Sequence, residues 1–213
     1  MFILQVKRKG VAMTVIGITG PSGAGKGAVS EVLRTKYGFD VIDADVIYHS
    51  LVSSPSSCLD EIKLHFGESV IDDQGALDRK ALSMLVLGED KRDKLLLLNQ
   101  ITHKYVVEKM LSDIERNQSK EQNCVIDAPL LIEAELHKYC DFTIAVIADE
   151  TARVERIVAR DNISYERAIA RISSQKSDDY YLSNTDYSIT NDGDISLLES
   201  SVAKILSERR MAI

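Results

Sequence analysis

Val15-Ile16-Gly17-Ile18-Thr19-Gly20-Pro21-Ser22-Gly23-Ala24-Gly25-Lys26-Gly27-Ala28 is the stretch that decides the fold. A β-branched run gives way to a glycine-rich turn, a lysine and a helical pattern whose apolar face is Val29, Val32 and Leu33. From Gly20 to Lys26 the turn has the form G-x-x-x-x-G-K, the layout of a phosphate-cradling loop. Its glycines let the backbone curl so that successive N–H groups meet phosphate oxygens, and the helix that follows adds positive potential at its N-terminus. Lys26 supplies a mobile point charge for the β- and γ-phosphates. The expected phosphate contacts are therefore Gly20, Gly23, Ala24, Gly25, Lys26, Gly27 and Ala28. One position departs from the pattern. The Ser or Thr that normally follows the lysine and holds Mg²⁺ is Gly27, and the next residue is Ala28.

Outward from this loop, strand-like runs recur at Phe39–Ile42, Cys124–Ile126, Phe142–Ala148 and Tyr187–Ile189, each beyond a stretch of helical periodicity. Such alternation predicts an α/β fold with a parallel five-stranded sheet covered by helices. Ligands of such sheets bind beyond the carboxyl ends of the strands. The expected core is residues 13–45, 120–150 and 185–213. Residues 46–119 read as a helical insertion, and 151–184 as a charged helical segment rich in arginine. Residues 1–12 read as an N-terminal extension, with Met13 an alternative start.

The chain has 213 residues, enough for one well-cored domain with an inserted subdomain. Its formal net charge of −7 argues against nucleic acid as a partner, because such interfaces need a basic surface. No apolar run approaches the roughly 18 residues of a membrane span. Cys58, Cys124 and Cys140 are odd in number and widely spaced, which points to neither zinc nor a disulfide framework and suits a reducing cytoplasm. Cys124 reads as a core residue. The sequence names no protein partner and no oligomeric state.

Four groups of polar residues are candidates for chemistry. Asp43 and Asp45, spaced by two at the end of the second strand, can point the same way into a cleft, one as base and one as orienting group. Asp45 reads equally well as the cap of a helix beginning at Val46. Asp127 ends the third strand, where an acid helps hold Mg²⁺, or else starts the turn before Pro129. Arg153, Arg156 and Arg160 follow helical spacing, and Arg167 with Arg171 forms a second pair. Such a cationic stripe can neutralise charge developing in phosphoryl transfer, or can be a solvated face; Arg153 and Arg167 are assigned to the solvated face. Asn99 and His103 lie four apart on a helix whose apolar face is Leu98, Ile101 and Tyr105.

Taken in order, the motifs resemble the dephospho-CoA kinase family. The matching pieces are Ile18-Thr19-Gly20 with the glycine loop, Val41-Ile42-Asp43-Ala44-Asp45, His65-Phe66-Gly67, Gly75-Ala76-Leu77-Asp78-Arg79, and Leu98-Asn99 leading to His103. They continue with Pro129-Leu130-Leu131-Ile132-Glu133, Arg156-x-x-x-Arg160-Asp161, Arg171-Ile172-Ser173-Ser174-Gln175 and Asp186-Tyr187-Ser188-Ile189-Thr190-Asn191-Asp192-Gly193. The resemblance implies a P-loop kinase core, a helical CoA-binding subdomain over 46–119 and a lid over 151–184. It further implies ATP with Mg²⁺ as the phosphate donor and dephospho-CoA as the acceptor at its ribose 3′-hydroxyl. Asp45 is then the base, with Lys26 and Arg160 as its catalytic partners. Arg156, Arg160 and Asn191 fall to ATP, while Asp43, Arg79 and His103 fall to the acceptor.

Against the family pattern, Gly25-Lys26-Gly27-Ala28 stands where Gly-Lys-Ser-Thr is usual, and His103-Lys104 where His-Pro is usual. Thr185-Asp186 replaces the usual Ala-Asp. The loop itself is similar to that of cytidylate kinase. Mg²⁺ is therefore expected to be held mainly through water, with Asp127 assisting and Ser30 too far round its helix to replace the missing hydroxyl. Two rival readings accompany this one: a kinase for another nucleotide, such as CMP, and a nucleotide-binding sensor without catalysis.

Overall fold

The computed structural model describes residues 13–211. The N-terminal extension expected at 1–12 lies outside the described residues. In chain order the elements are β1 (Val15–Thr19), α1 (Lys26–Tyr37), β2 (Asp40–Asp43), α2 (Ala44–Val52), α3 (Ser57–Phe66), α4 (Arg79–Val86), α5 (Arg92–Ser119), β3 (Cys124–Asp127), β4 (Phe142–Ile147), α6 (Glu150–Asp161), α7 (Tyr165–Ser173), α8 (Asp178–Ser183), β5 (Tyr187–Thr190) and α9 (Ile195–Glu208). The described residues form two compact units. One comprises those up to Val41 and from Ile114 onward; the other is Ile42–Asp113.

The sheet has the order β2-β3-β1-β4-β5. β1 runs parallel to β3 and to β4, and β4 runs parallel to β5. β1 is central, and all five of its residues are buried, as expected of a β-branched strand covered on both faces. Val29, Val32 and Leu33 from α1, and Leu198, Val202, Ile205 and Leu206 from α9, pack with Ile16, Ile18, Ile144 and Val146 in one cluster. β5 is one of the two edge strands and buries only Ile189. The chain reverses its direction of sheet growth between β3 and β4, on either side of β1. That is the switch point at which α/β sheets place their ligands.

The second unit is helical, built on Val52, Cys58, Leu59, Ile62, Val70, Leu77, Leu82, Val86, Leu98 and Ile101. Beyond the end of β2, its β-pairing among the described residues is a single bridge, Ile71 to Leu77. Each short helix here is started by a side chain that follows the local rule. The Ser56 hydroxyl accepts from Leu59 N at 3.0 Å, and the Asp78 carboxylate accepts from Lys80 N and Ala81 N, both at 2.9 Å. Cys124 is fully buried in β3, as a core residue should be.

Candidate active site

β1 feeds straight into the glycine loop, and the loop ends where α1 begins at Lys26. Gly25, the residue before the helix, has φ +92°, and a Cβ placed on it would sit 2.0 Å from Asn191 Nδ2. Only glycine meets both demands. Asn191 lies just beyond β5, is buried, and donates from Nδ2 to Ala24 O at 2.9 Å. Arg156 on α6 donates to Gly23 O at 3.1 Å and to Asn191 O at 3.0 Å. Two of the three residues that the family likeness assigns to ATP, Arg156 and Asn191, thus meet the loop through its carbonyls and leave its N–H groups uncovered by these contacts. The Lys26 ammonium donates to Gly20 O at 3.0 Å and to Pro21 O at 3.4 Å, folding back over the loop it follows.

Asp127 closes β3 and is 7% exposed. Register places it beside Ile18, one residue before the end of β1. Ser30, set aside in the sequence as too far round its helix, is 3% exposed and donates from Oγ to Asp127 Oδ2 at 2.8 Å. Its hydroxyl is thus engaged with the carboxylate. Magnesium keeps several waters and takes one or two carboxylates together with phosphate oxygens. A single buried carboxylate at this strand end fits that demand. No cluster of three or more His, Cys, Asp or Glu able to hold a metal occurs among the described residues.

On α6 the three arginines part company. Arg153 does not lie on a solvated face: it is 6% exposed. Its Nε donates to Ser22 O at 3.1 Å and one terminal nitrogen to Gln175 Oε1 at 3.2 Å, while the other lies 3.5 Å from Asp178 Oδ1. The reason is positional. Arg153 stands on the apolar stripe with Val154 and Ile157, which packs against Ala168 and Ile172 of α7. Arg160 is exposed and grips Asp161 with two hydrogen bonds, at 2.8 and 3.0 Å, and Arg171 joins the same carboxylate. Hydrogen bonding from Arg160, helped by Arg171, holds the Asp161 carboxyl down to about 2.

In the second unit, the helix that follows β2 begins at Ala44 rather than Val46, and its cap is Asp43 rather than Asp45. The Asp43 carboxylate accepts from Asp45 N at 2.8 Å and Val46 N at 3.0 Å. Asp43 ends its strand with ψ 120°, which aims a short carboxylate at the first free N–H groups of the helix. The carboxylate of Asp45, one position into the helix, is left exposed. His49, to which the sequence assigned nothing, lies one turn further on and is hydrogen-bonded through Nδ1 to Arg79. Arg79 begins α4 immediately after its Asp78 cap. His103 is an exposed residue of α5 whose imidazole is shielded enough for lost solvation to lower its pKa. Asn99 is exposed on the same helix, while Leu98 and Ile101 are buried.

The dephospho-CoA kinase family model matches residues 14–196. The chain belongs to the dephospho-CoA kinase family. Among curated proteins it is 36% identical over 195 residues to the dephospho-CoA kinase of Staphylococcus epidermidis, covering 91% of this chain and 94% of that one. It is 34% identical over 195 residues to the dephospho-CoA kinase of Staphylococcus haemolyticus, covering 92% and 95%. Among solved structures, a protein from Thermus thermophilus superposes with a TM-score of 0.75 at 28% identity, covering 92% of this chain and 97% of the other. A shikimate kinase from Bacteroides thetaiotaomicron shares the fold at a TM-score of 0.53 and 17% identity, covering 94% and 100%. The expected P-loop kinase architecture is therefore present, and no helix among the described residues is long and apolar enough to cross a membrane.

Sequence reasoning missed two residues at this family's phosphate loop. Gln175 falls within a family motif, and no local pattern gives it a role. The spacing of Arg153 alone reads as that of a surface cation. The signal for Arg153 was present: a charge within the apolar stripe of an amphipathic helix needs buried partners.

Proposed function

We propose that this chain transfers the γ-phosphoryl group of ATP to the ribose 3′-hydroxyl of dephospho-CoA, yielding coenzyme A and ADP. The observation that carries this reading is the family match over residues 14–196 of a chain whose loop has the architecture of a phosphate cradle. The loop amides and Lys26 bind the donor phosphates, and Lys26 exchanges its contacts with the Gly20 and Pro21 carbonyls for phosphate oxygens. Magnesium, when bound, neutralises phosphate charge, and Asp127 steadied by Ser30 would hold it through water. Arg156 and Asn191 shape the nucleotide side of the loop.

Asp45 accepts the proton of the acceptor hydroxyl as its oxygen bonds to the γ-phosphorus. Its position supports this role, because the capping duty at the start of α2 belongs to Asp43, and Asp45 presents an exposed carboxylate. Asp43 orients that helix turn, and Arg79 and His103 serve the acceptor. Arg160 leaves Asp161 for the charge that develops on the phosphoryl group. Residues 151–184 act as the lid and 46–119 as the acceptor subdomain. Catalysis of this kind is positioning plus electrostatics, so one missing metal ligand at Gly27 slows rather than abolishes it.

The test is product analysis with ATP, Mg²⁺ and dephospho-CoA, beside CMP, AMP and UMP. Formation of coenzyme A is expected. Turnover of CMP alone would transfer the chain to the nucleotide kinases, and ATP binding with no transfer to any acceptor would make it a sensor. The absence of a hydroxyl at Gly27 and Ala28 is the feature that favours the sensor reading.

A further inference from the structure

Ser22, at the crest of the glycine loop, has its backbone held on both sides by groups from elsewhere in the chain. Its N–H donates to Gln175 Oε1 at 3.0 Å, and its carbonyl accepts from Arg153 Nε at 3.1 Å. Arg153 also donates to Gln175 Oε1 at 3.2 Å, which closes a ring of three hydrogen bonds through one backbone residue, one carboxamide and one guanidinium. The loop leaves no room to slide: a Cβ on Gly23 would fall 2.6 Å from the Arg153 carbonyl. Gln175 lies in the link between α7 and α8. It is placed there by the packing of Ile172 and Ala168 on Val154 and Ile157 and by its own N–H, which donates to Ile172 O at 3.0 Å. A guanidinium that is 6% exposed is costly unless its donors are used, and here Nε and both terminal nitrogens have partners.

We propose that Arg153 and Gln175 are positioning residues for ATP: they fix the crest of the phosphate loop and fasten the α6–α8 segment to it, without touching the nucleotide. The proposal rests on the reading of this loop as the ATP site. Ser22 spends its N–H on Gln175, so the phosphate-binding amides are those from Gly23 onward, and their direction is set by a crest that cannot rotate. Movement of the α6–α8 segment is coupled to the loop, because either the ring travels with the segment or its three bonds break. Gln175 acts in the ring only through Oε1, as an acceptor from two donors. A carboxylate at this position accepts from the same two donors, whereas a thioether of similar size accepts from neither in earnest.

ATP binding measured by calorimetry without an acceptor tests this. Gln175→Met is expected to weaken ATP binding about tenfold, the scale of one well-made hydrogen bond and a stranded donor. Gln175→Glu is expected to stay within about twofold of the parent chain, and KM for dephospho-CoA is expected to be unchanged in both. Arg153→Met is expected to lose about as much as Gln175→Met, and the double variant little more than either, because they share one ring. ATP affinity untouched by Gln175→Met would overturn the proposal. So would losses that add in the double variant, or a Gln175→Glu protein that binds ATP as poorly as Gln175→Met, since the carboxamide nitrogen would then be touching ligand. Should Gln175→Met fold poorly, the Gln175→Glu and Arg153→Met measurements decide alone. Failure of the parent chain to bind ATP counts against the donor-site reading itself and is seen before any variant is made.

Discussion

Around the glycine loop, the groups that matter are tied down: Asn191 to Ala24, Arg156 to Gly23 and Asn191, Arg153 and Gln175 to Ser22, and Ser30 to Asp127. In the helical unit the counterpart residues Asp45, Arg79 and His103 all stand on exposed helix positions, and of the three only Arg79 has a named side-chain partner, His49. The contrast is physical before it is functional. A phosphate cradle works through backbone N–H groups, whose direction is lost unless the backbone is over-determined. An acceptor subdomain works through side chains that reach from a stable helix, where rigidity of the helix suffices. On the proposed assignment of the two regions, pre-organisation is therefore concentrated on the donor side, and adaptability on the acceptor side.

The largest expected effect breaks this comparison at its acceptor end. Asp45→Asn should lower kcat by about 10²- to 10⁴-fold, the range for a positioned base, with ATP affinity unchanged. The fold should survive, because the Asp43 carboxylate still caps α2. Steady-state kinetics beside ATP calorimetry checks both parts. A variant with parental kcat would show that Asp45 is only a first-turn acid complementing the helix dipole.

A smaller effect sharpens the donor end. Gly25→Ala forces a side chain into a backbone at φ +92° and against the Asn191 carboxamide. Strain of this kind costs roughly 1–3 kcal/mol, and the clash also breaks the Asn191–Ala24 bond. Thermal unfolding should shift downward by several degrees, and ATP affinity should fall by more than the stability loss explains, while KM for dephospho-CoA holds. Parental ATP affinity in this variant would mean that the loop binds phosphate without being pre-set, and the contrast between the two regions would fail.

Much of the donor end was legible in the chain. A β-branched run before G-x-x-x-x-G-K has few structural outcomes, and all five strand positions follow from apolar runs bounded by turns. Arg156 and Asn191 entered through the family likeness, which assigned them to ATP without showing that they act on loop carbonyls. What escaped the sequence was contact between segments distant along the chain. Ser22 and Gln175 are 153 residues apart, and Ser30 and Asp127 are 97 apart, so no local pattern joins them. The cap of α2 is ambiguous in the sequence for the opposite reason. In Asp43-Ala44-Asp45 both acids satisfy the local rule, and only the extended backbone at Asp43 shows which carboxylate meets the first free amides.

The smallest expected effect lies at the metal. A Cβ on Gly27 meets nothing within 4 Å, and its φ lies outside the left-handed region, so Gly27→Ser should fold as well as the parent. The new hydroxyl offers magnesium the ligand that this loop lacks, while Ser30 stays engaged with Asp127. Half-maximal Mg²⁺ concentration should fall by about two- to fivefold, with kcat equal or higher, as expected for one added hydrogen-bond-scale contact. Metal titration of the activity, paired with titration of ATP binding, separates a changed metal site from a changed loop. If metal dependence is unchanged, the position after Lys26 has no part in this loop's chemistry, and Asp127 carries the whole of the protein's hold on the ion. A rigid donor side would then owe its metal to the sheet end rather than to the loop, which moves the boundary between the two regions without removing it.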